Sequence, residues 1–181
     1  MIDLKKINGV AAAAGIAISK VYELETPDLS YEKTKATDPE HEINRLDNAL
    51  HASIEELEKI KEHTRNTIGE DHAEIFSAHL LILNDPELID PMKEKIKEES
   101  FIAEAALEEV STSFINLFEN MDNEYMRERA ADIRDVTQRV LAHLLEVQFP
   151  DPALIDEEVI VIANDLTPSD TAQLNREFVK G

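Results

Sequence analysis

The sequence predicts a mostly helical α+β chain, in which a helical subdomain of two helical hairpins is inserted into an incomplete α/β subdomain. Three observations predict it. Apolar residues recur at spacings of three and four through the middle of the chain, as on amphipathic helices. The run "EVIVIA" near the end is continuously apolar, the mark of a strand covered on both faces. A β-branched run near the start, Ile16, Ile18, Val21 and Tyr22, is the strand that can return beside it.

Taken in order, "INGVAAAAGIAISKVYEL" reads as loop and strand. Asp38 followed by Pro39 and Glu40 starts a helix, because Asp caps free N–H groups and Pro fits the first turn. Ile43, Leu46, Leu50, Ile54, Leu57 and Ile60 give that helix one apolar face, and Gly69 stops it. A second helix runs from about Glu70 to Leu83. "NDPELIDP" places Asp before Pro twice, predicting a short helix at Pro86 and a restart at Pro91. Ser100 is placed to cap the third main helix, with Ile102, Ala106, Val110, Phe114, Leu117 and Met121 on one face. The fourth, from about Asn123 to Glu146, buries Met126, Ala130, Ile133, Val136, Val140 and Leu144. Short loops between the four main helices imply antiparallel neighbours. Val159 to Ala163 is a strand, and Thr167, Pro168, Ser169 and Asp170 form a capping box that opens a last helix. The divisions that follow are 1–34 and 149–181 for the α/β subdomain and 35–148 for the helical one, with further strands of the sheet expected beyond Gly181.

Composition narrows the function. The chain has 181 residues, 43% of them hydrophobic, enough to bury a core. Its 39 Asp and Glu against 18 Lys and Arg give a formal net charge of -21, which repels phosphate backbones and anionic lipid. Nucleic acid and membrane insertion are excluded as partners, and a basic protein surface is favoured. The absence of Cys removes disulfides and thiolate metal sites and fits a reducing, cytoplasmic setting. "GVAAAAG" lacks the Lys and Ser or Thr of a phosphate loop and reads as a packing or turn segment. None of the six His has a Glu three residues before it, so the di-metal bundle pattern is missing and no metal site is assigned.

The stretch "GEDHAEIFSAHLLILNDPEL" carries the strongest signal. On a helical wheel His72, Ile75, Phe76, His79, Leu80 and Leu83 fill one face, which is sufficient for a core. The opposite face holds Ala78, Leu81 and Ile82, bordered by Asp71, Glu74 and Asp85. An apolar patch ringed by carboxylates suits a partner with an apolar centre and a Lys/Arg rim; read from the residues alone, it serves equally as packing within the bundle.

"GIAISKVY", "AEIFSAHLLILNDPEL", "NEYMRERAADIRDV" and "VIVIANDLTPSDTAQL" together resemble the N-terminal region of the Enzyme I family, the phosphoenolpyruvate-protein phosphotransferases of the bacterial sugar phosphotransferase system. The resemblance runs the length of the chain in the family's order. It implies a helical subdomain that docks the histidine-containing phosphocarrier protein HPr, inserted into an α/β subdomain of the phosphohistidine type. That subdomain holds a histidine that takes a phosphoryl group from phosphoenolpyruvate and passes it to a histidine of HPr. The family's GGxTSH motif is expected about ten residues beyond Gly181, so none of the histidines present is assigned as the phosphorylated one, and this chain alone is expected to be inactive. The resemblance further implies that Glu70, Asp71, Glu74, His79, Leu81, Ile82, Glu87, Leu88 and Phe118 form the HPr surface. Arg129 matches a basic position near the phosphoryl path, and Thr171 a threonine that hydrogen-bonds the active histidine. Mg²⁺, phosphoenolpyruvate and dimerisation belong to a C-terminal domain outside this chain. The readings left beside it are an acidic helical adaptor, and a paralogue serving a nitrogen-regulatory or dihydroxyacetone-kinase pathway.

Overall fold

A computed structural model describes residue 10 and residues 13–181. Gly9, Ala11 and Ala12 of the "GVAAAAG" segment lie outside the described residues. The elements are β1 (Lys20–Leu24), α1 (Pro39–Thr67), α2 (Glu70–Leu83), α3 (Pro86–Glu99), α4 (Ala103–Glu119), α5 (Glu124–Leu144), a 3-10 turn (Pro152–Leu154), β2 (Val159–Ala163) and α6 (Pro168–Gln173).

The helices form where the periodicity predicts them. Asp38 accepts the His41 N–H at 3.2 Å and Pro39 opens α1. The buried core joins Leu46, Leu50 and Leu57 of α1 to Phe76 and Leu83 of α2, with Met92, Leu107 and Val140 from the helices that follow. Helix α1 packs on α2 and α5, and α4 packs on α5 and α3.

Two helix boundaries differ from the sequence reading. Helix α3 runs through Pro91 without restarting. Leu88, Met92 and Ile96 lie four apart and are buried, so packing of that stripe outweighs the one backbone hydrogen bond that Pro91 cannot donate. Ser100 does not cap α4. It ends α3 in the left-handed conformation (φ 56°), and its carbonyl accepts the Ala36 N–H at 2.8 Å. The first amide of α4, that of Ala103, donates instead to the Glu42 carboxylate of α1 at 2.9 Å. Arg45 holds the same carboxylate at 2.7 Å and pairs with buried Glu104, so a three-residue ion network does the capping across the bundle. Further along α4, Leu117 is exposed although it shares the expected face with Val110, because burial of that helix ends at Ser111.

The strands β1 and β2 pair in parallel, Lys20 opposite Val159 and Leu24 opposite Ala163. Residues 178–181 run along the other edge of β2: Val159 N–H donates to Phe178 O at 2.9 Å and Val161 N–H to Gly181 O at 2.8 Å. Strand β2 therefore has a neighbour on each side. Its faces are less covered than its apolar run implies, since Val159 is buried while Ile162 is exposed. The reason is that α6 packs on α1 and the 3-10 turn, and Ala172 joins the edge of the helical core.

Candidate functional site

Helix α2 is apolar on both sides, one buried against the bundle and the other partly in water. Ala73, Phe76, His79 and Leu83 are buried against the bundle. Leu81 is 73% exposed, Ile82 is half-buried beside it, and Glu70, Asp71 and Glu74 are exposed in the preceding turns. Glu70 and Asp71 also sit in the first turn of α2, where negative charge complements the helix dipole. Glu70 is not a free charge: Arg65 Nε donates to it at 2.7 Å, and that bond holds its carboxyl below the usual glutamate range.

The chain turns at Asn84 and Asp85, whose carboxylate accepts the Glu87 N–H at 3.0 Å and starts α3. Glu87 is exposed just past the turn that follows Leu81 and Ile82. Phe118 is half-buried in the last turn of α4, a helix that packs chiefly on α5 and α3. Exposed Leu117 precedes it and adds apolar surface that the resemblance did not assign.

Two residues assigned to this surface are not on it. Leu88 is buried at 4% exposure as part of the α3 stripe, and His79 is fully buried. His79 fits the inner face because polar partners meet it there. Its Nε2 lies 3.3 Å from Asp132 Oδ1, its ring packs edge-on against Phe76, and its Nδ1 lies 3.7 Å from Asp135 Oδ2, too far for a hydrogen bond. The remaining histidine of that helix, His72, is exposed.

Arg129 stands at the outer end of the same network. Its Nη1 donates to Asp132 Oδ2 at 3.1 Å, its Nη2 donates to the Tyr125 hydroxyl, and its guanidinium lies 4.9 Å above the Tyr125 ring. At its inner end Asp135 accepts a hydrogen bond from Ser169 Oγ of α6 at 3.2 Å. Burial raises the Asp135 carboxyl above the usual aspartate range, against the pull of Arg139 and His79. Thr171, exposed on α6, turns its hydroxyl onto the carbonyls of Thr167 and Pro168 at 3.1 and 3.0 Å.

Sequence reading missed Asp132, Asp135 and Ser169. The available signal was a polar stripe, Asp132, Asp135 and Arg139, running at helical spacing between the core positions Ile133, Val136 and Val140 of α5. No group of three or more His, Cys, Asp or Glu among the described residues is arranged to hold a metal ion. Among the same residues no helix is long and apolar enough to cross a membrane.

This arrangement, helices folded on one another with a two-stranded parallel sheet at one end, is shared with known proteins. The family model for the N-terminal domain of PEP-utilising enzymes matches residues 8–129. The chain belongs to that family. The phosphoenolpyruvate-protein phosphotransferase of Bacillus subtilis (strain 168) is 61% identical over 178 residues, which is 98% of this chain and 31% of that protein. That of Priestia megaterium is 63% identical over 177 residues, with the same coverage of both chains. The chain thus spans 31% of the length of these relatives. Among solved structures, an Enzyme I protein studied by NMR superposes with a TM-score of 0.85 at 41% identity, covering 94% of this chain and 70% of that one. The N-terminal domain of an Enzyme 1 titled Nitrogen gives 0.67 at 26% identity over the same shares. Similarity to the first structure is greater on both measures.

Proposed function

We propose that this chain is the partner-docking part of a phosphoenolpyruvate-protein phosphotransferase. Residues 35–148 dock the phosphocarrier HPr, and residues 1–34 and 149–181 contribute to the α/β subdomain that carries the phosphorylated histidine in a longer protein. In that protein the phosphoryl group passes from phosphoenolpyruvate to the protein histidine and then to a histidine of HPr. Magnesium and phosphoenolpyruvate are handled by a C-terminal domain that also makes the dimer, and the reaction is cytoplasmic.

The observation that carries this reading is the outward face of α2. Leu81 spends most of its side chain in water while the same helix already has a complete inner face of Phe76, His79 and Leu83. An exposed apolar centre flanked by Asp71, Glu74 and Glu87 complements a basic rim. His79 and Leu88 support this face from behind, and Phe118 extends it on α4. Arg129 is half-exposed and held flat by Tyr125 and Asp132, a geometry in which a guanidinium can steady a phosphate in transit. Thr171 presents the hydroxyl that would meet the active histidine.

Calorimetric titration of HPr into this chain at low and high salt tests the docking role. A saturable 1:1 complex whose affinity falls with added salt is expected, because an acidic rim meeting a basic one is screened. No binding by the folded chain would overturn the proposal.

A further inference from the structure

Helix α6 has six residues, too few to hold their shape by backbone bonding alone. Its capping box fixes its first turn internally: Thr167 and Asp170 exchange hydrogen bonds between side chain and backbone at 2.9 and 3.2 Å. What fixes it to the rest of the molecule is a separate matter. Ala172 touches the helical core, and one polar side chain, Ser169, points inward and is fully buried.

Ser169 donates to Asp135 of α5 at 3.2 Å. The groups facing that carboxyl come from three helices: His79 of α2, Arg139 of α5 itself, and Ser169 and Asp170 of α6. His79 Nδ1 is buried and without a hydrogen-bond partner among the described residues. A buried donor or acceptor left unpaired is costly, as is a carboxylate taken out of water, so the Ser169 hydrogen bond matters more here than it would at the surface. The three residues lie on helices with different tasks. His79 is on the back of the docking helix, Asp135 is in the bundle wall, and Ser169 stands two residues before Thr171.

We propose that Asp135 is a positioning residue: through Ser169 it seats α6, and with it the Thr171 hydroxyl, on the bundle, while His79 registers that seat against the docking helix. The functional meaning of the seat rests on the role proposed above for Thr171. The seat itself is a property of this chain and is tested without any partner.

Amide hydrogen exchange on this chain is the test, comparing wild type with Ser169→Ala, Ser169→Thr, Asp135→Ala and Asp135→Asn. In Ser169→Ala the Thr171 and Ala172 amides are expected to exchange about three- to tenfold faster, the size of one lost net hydrogen bond, with α1 and α4 core amides unchanged. The His79 imidazole ¹⁵N resonances are expected to shift in the same variant, because the carboxyl 3.7 Å from its Nδ1 loses the hydrogen bond from Ser169. Ser169→Thr restores both readouts. Asp135→Ala is expected to match Ser169→Ala at α6, and Asp135→Asn keeps α6 at the wild-type rate, since an amide oxygen still accepts from Ser169; Ser169→Ala carries the test should Asp135→Ala not fold. Equal acceleration across all helices, unchanged exchange at α6, or an unmoved His79 resonance in Ser169→Ala would overturn the inference. Absence of HPr binding with the seat intact would overturn only the docking proposal.

Discussion

Leu81 and Leu88 are the same residue type on adjoining helices, yet one is 73% exposed and the other 4%. Truncating each to alanine should therefore damage different properties. Leu88→Ala removes methyl groups from the stripe with Met92 and Ile96 and leaves a hole, at a cost of about 2–5 kcal/mol in folding. For a chain of this size that lowers Tm by roughly 5–20 °C. Leu81→Ala removes surface that water already reaches, so folding should change by less than about 0.5 kcal/mol. If HPr covers that surface, burying the exposed three-quarters of a leucine is worth about 1–2 kcal/mol, and affinity should fall about five- to thirtyfold. Thermal unfolding by circular dichroism measures the first effect and calorimetric titration the second. The reasoning fails if Leu81→Ala destabilises the fold as much as Leu88→Ala does, or if HPr binds the Leu81→Ala chain with wild-type affinity.

Removing Arg45 while keeping its bulk, as Arg45→Met, leaves the Glu42 and Glu104 carboxylates facing one another behind the start of α4. A loss of about 3 kcal/mol is expected from urea unfolding, and a variant within experimental error of wild type would show that the network does not cap α4. Asp135 predicts a pH dependence. Its folded value lies above its unfolded one, so the contribution of the protonated carboxyl is fully present below the unfolded value of about 4 and is lost as pH rises through the folded one. The Tm of wild type minus that of Asp135→Asn should accordingly fall as pH rises across that window, and a difference that is flat or rises would contradict the assigned burial.

Most of the fold was legible because apolar spacing reports burial on long helices. The face of α1 from Leu46 to Ile60 and that of α5 from Ile133 to Leu144 are buried as their periodicity requires. The pairing of β1 with β2 was legible because a buried strand needs a neighbour and only the first segment offered one. Contacts between distant segments were not legible. The cap of α4 comes from Glu42, on another helix, and local signals at Ser100 pointed elsewhere. Pro91 looked like a break because propensity sees the missing N–H and not the three buried side chains around it. At the candidate site, the outward Leu81 was readable from the wheel, while Ile82, expected beside it, is half-buried and packs against the core. His79 was also placed on the wheel's inner face, and it is fully buried there. Of the Asp132, Asp135 and Ser169 network only the helical spacing of the two aspartates was readable; Ser169 lies on a distant helix, and only folding brings it to Asp135.

The central claim is that the outward face of α2, with the start of α3 and the end of α4, is where HPr binds. Titrating unlabelled HPr into ¹⁵N-labelled chain and following every amide tests it most directly. The account predicts shifts confined to the surroundings of Leu81, Ile82, Glu87 and Phe118, with the outer face of α1 around His51 and Glu55 silent. Shifts centred on α1, or none from a chain whose spectrum is that of a folded protein, would contradict it.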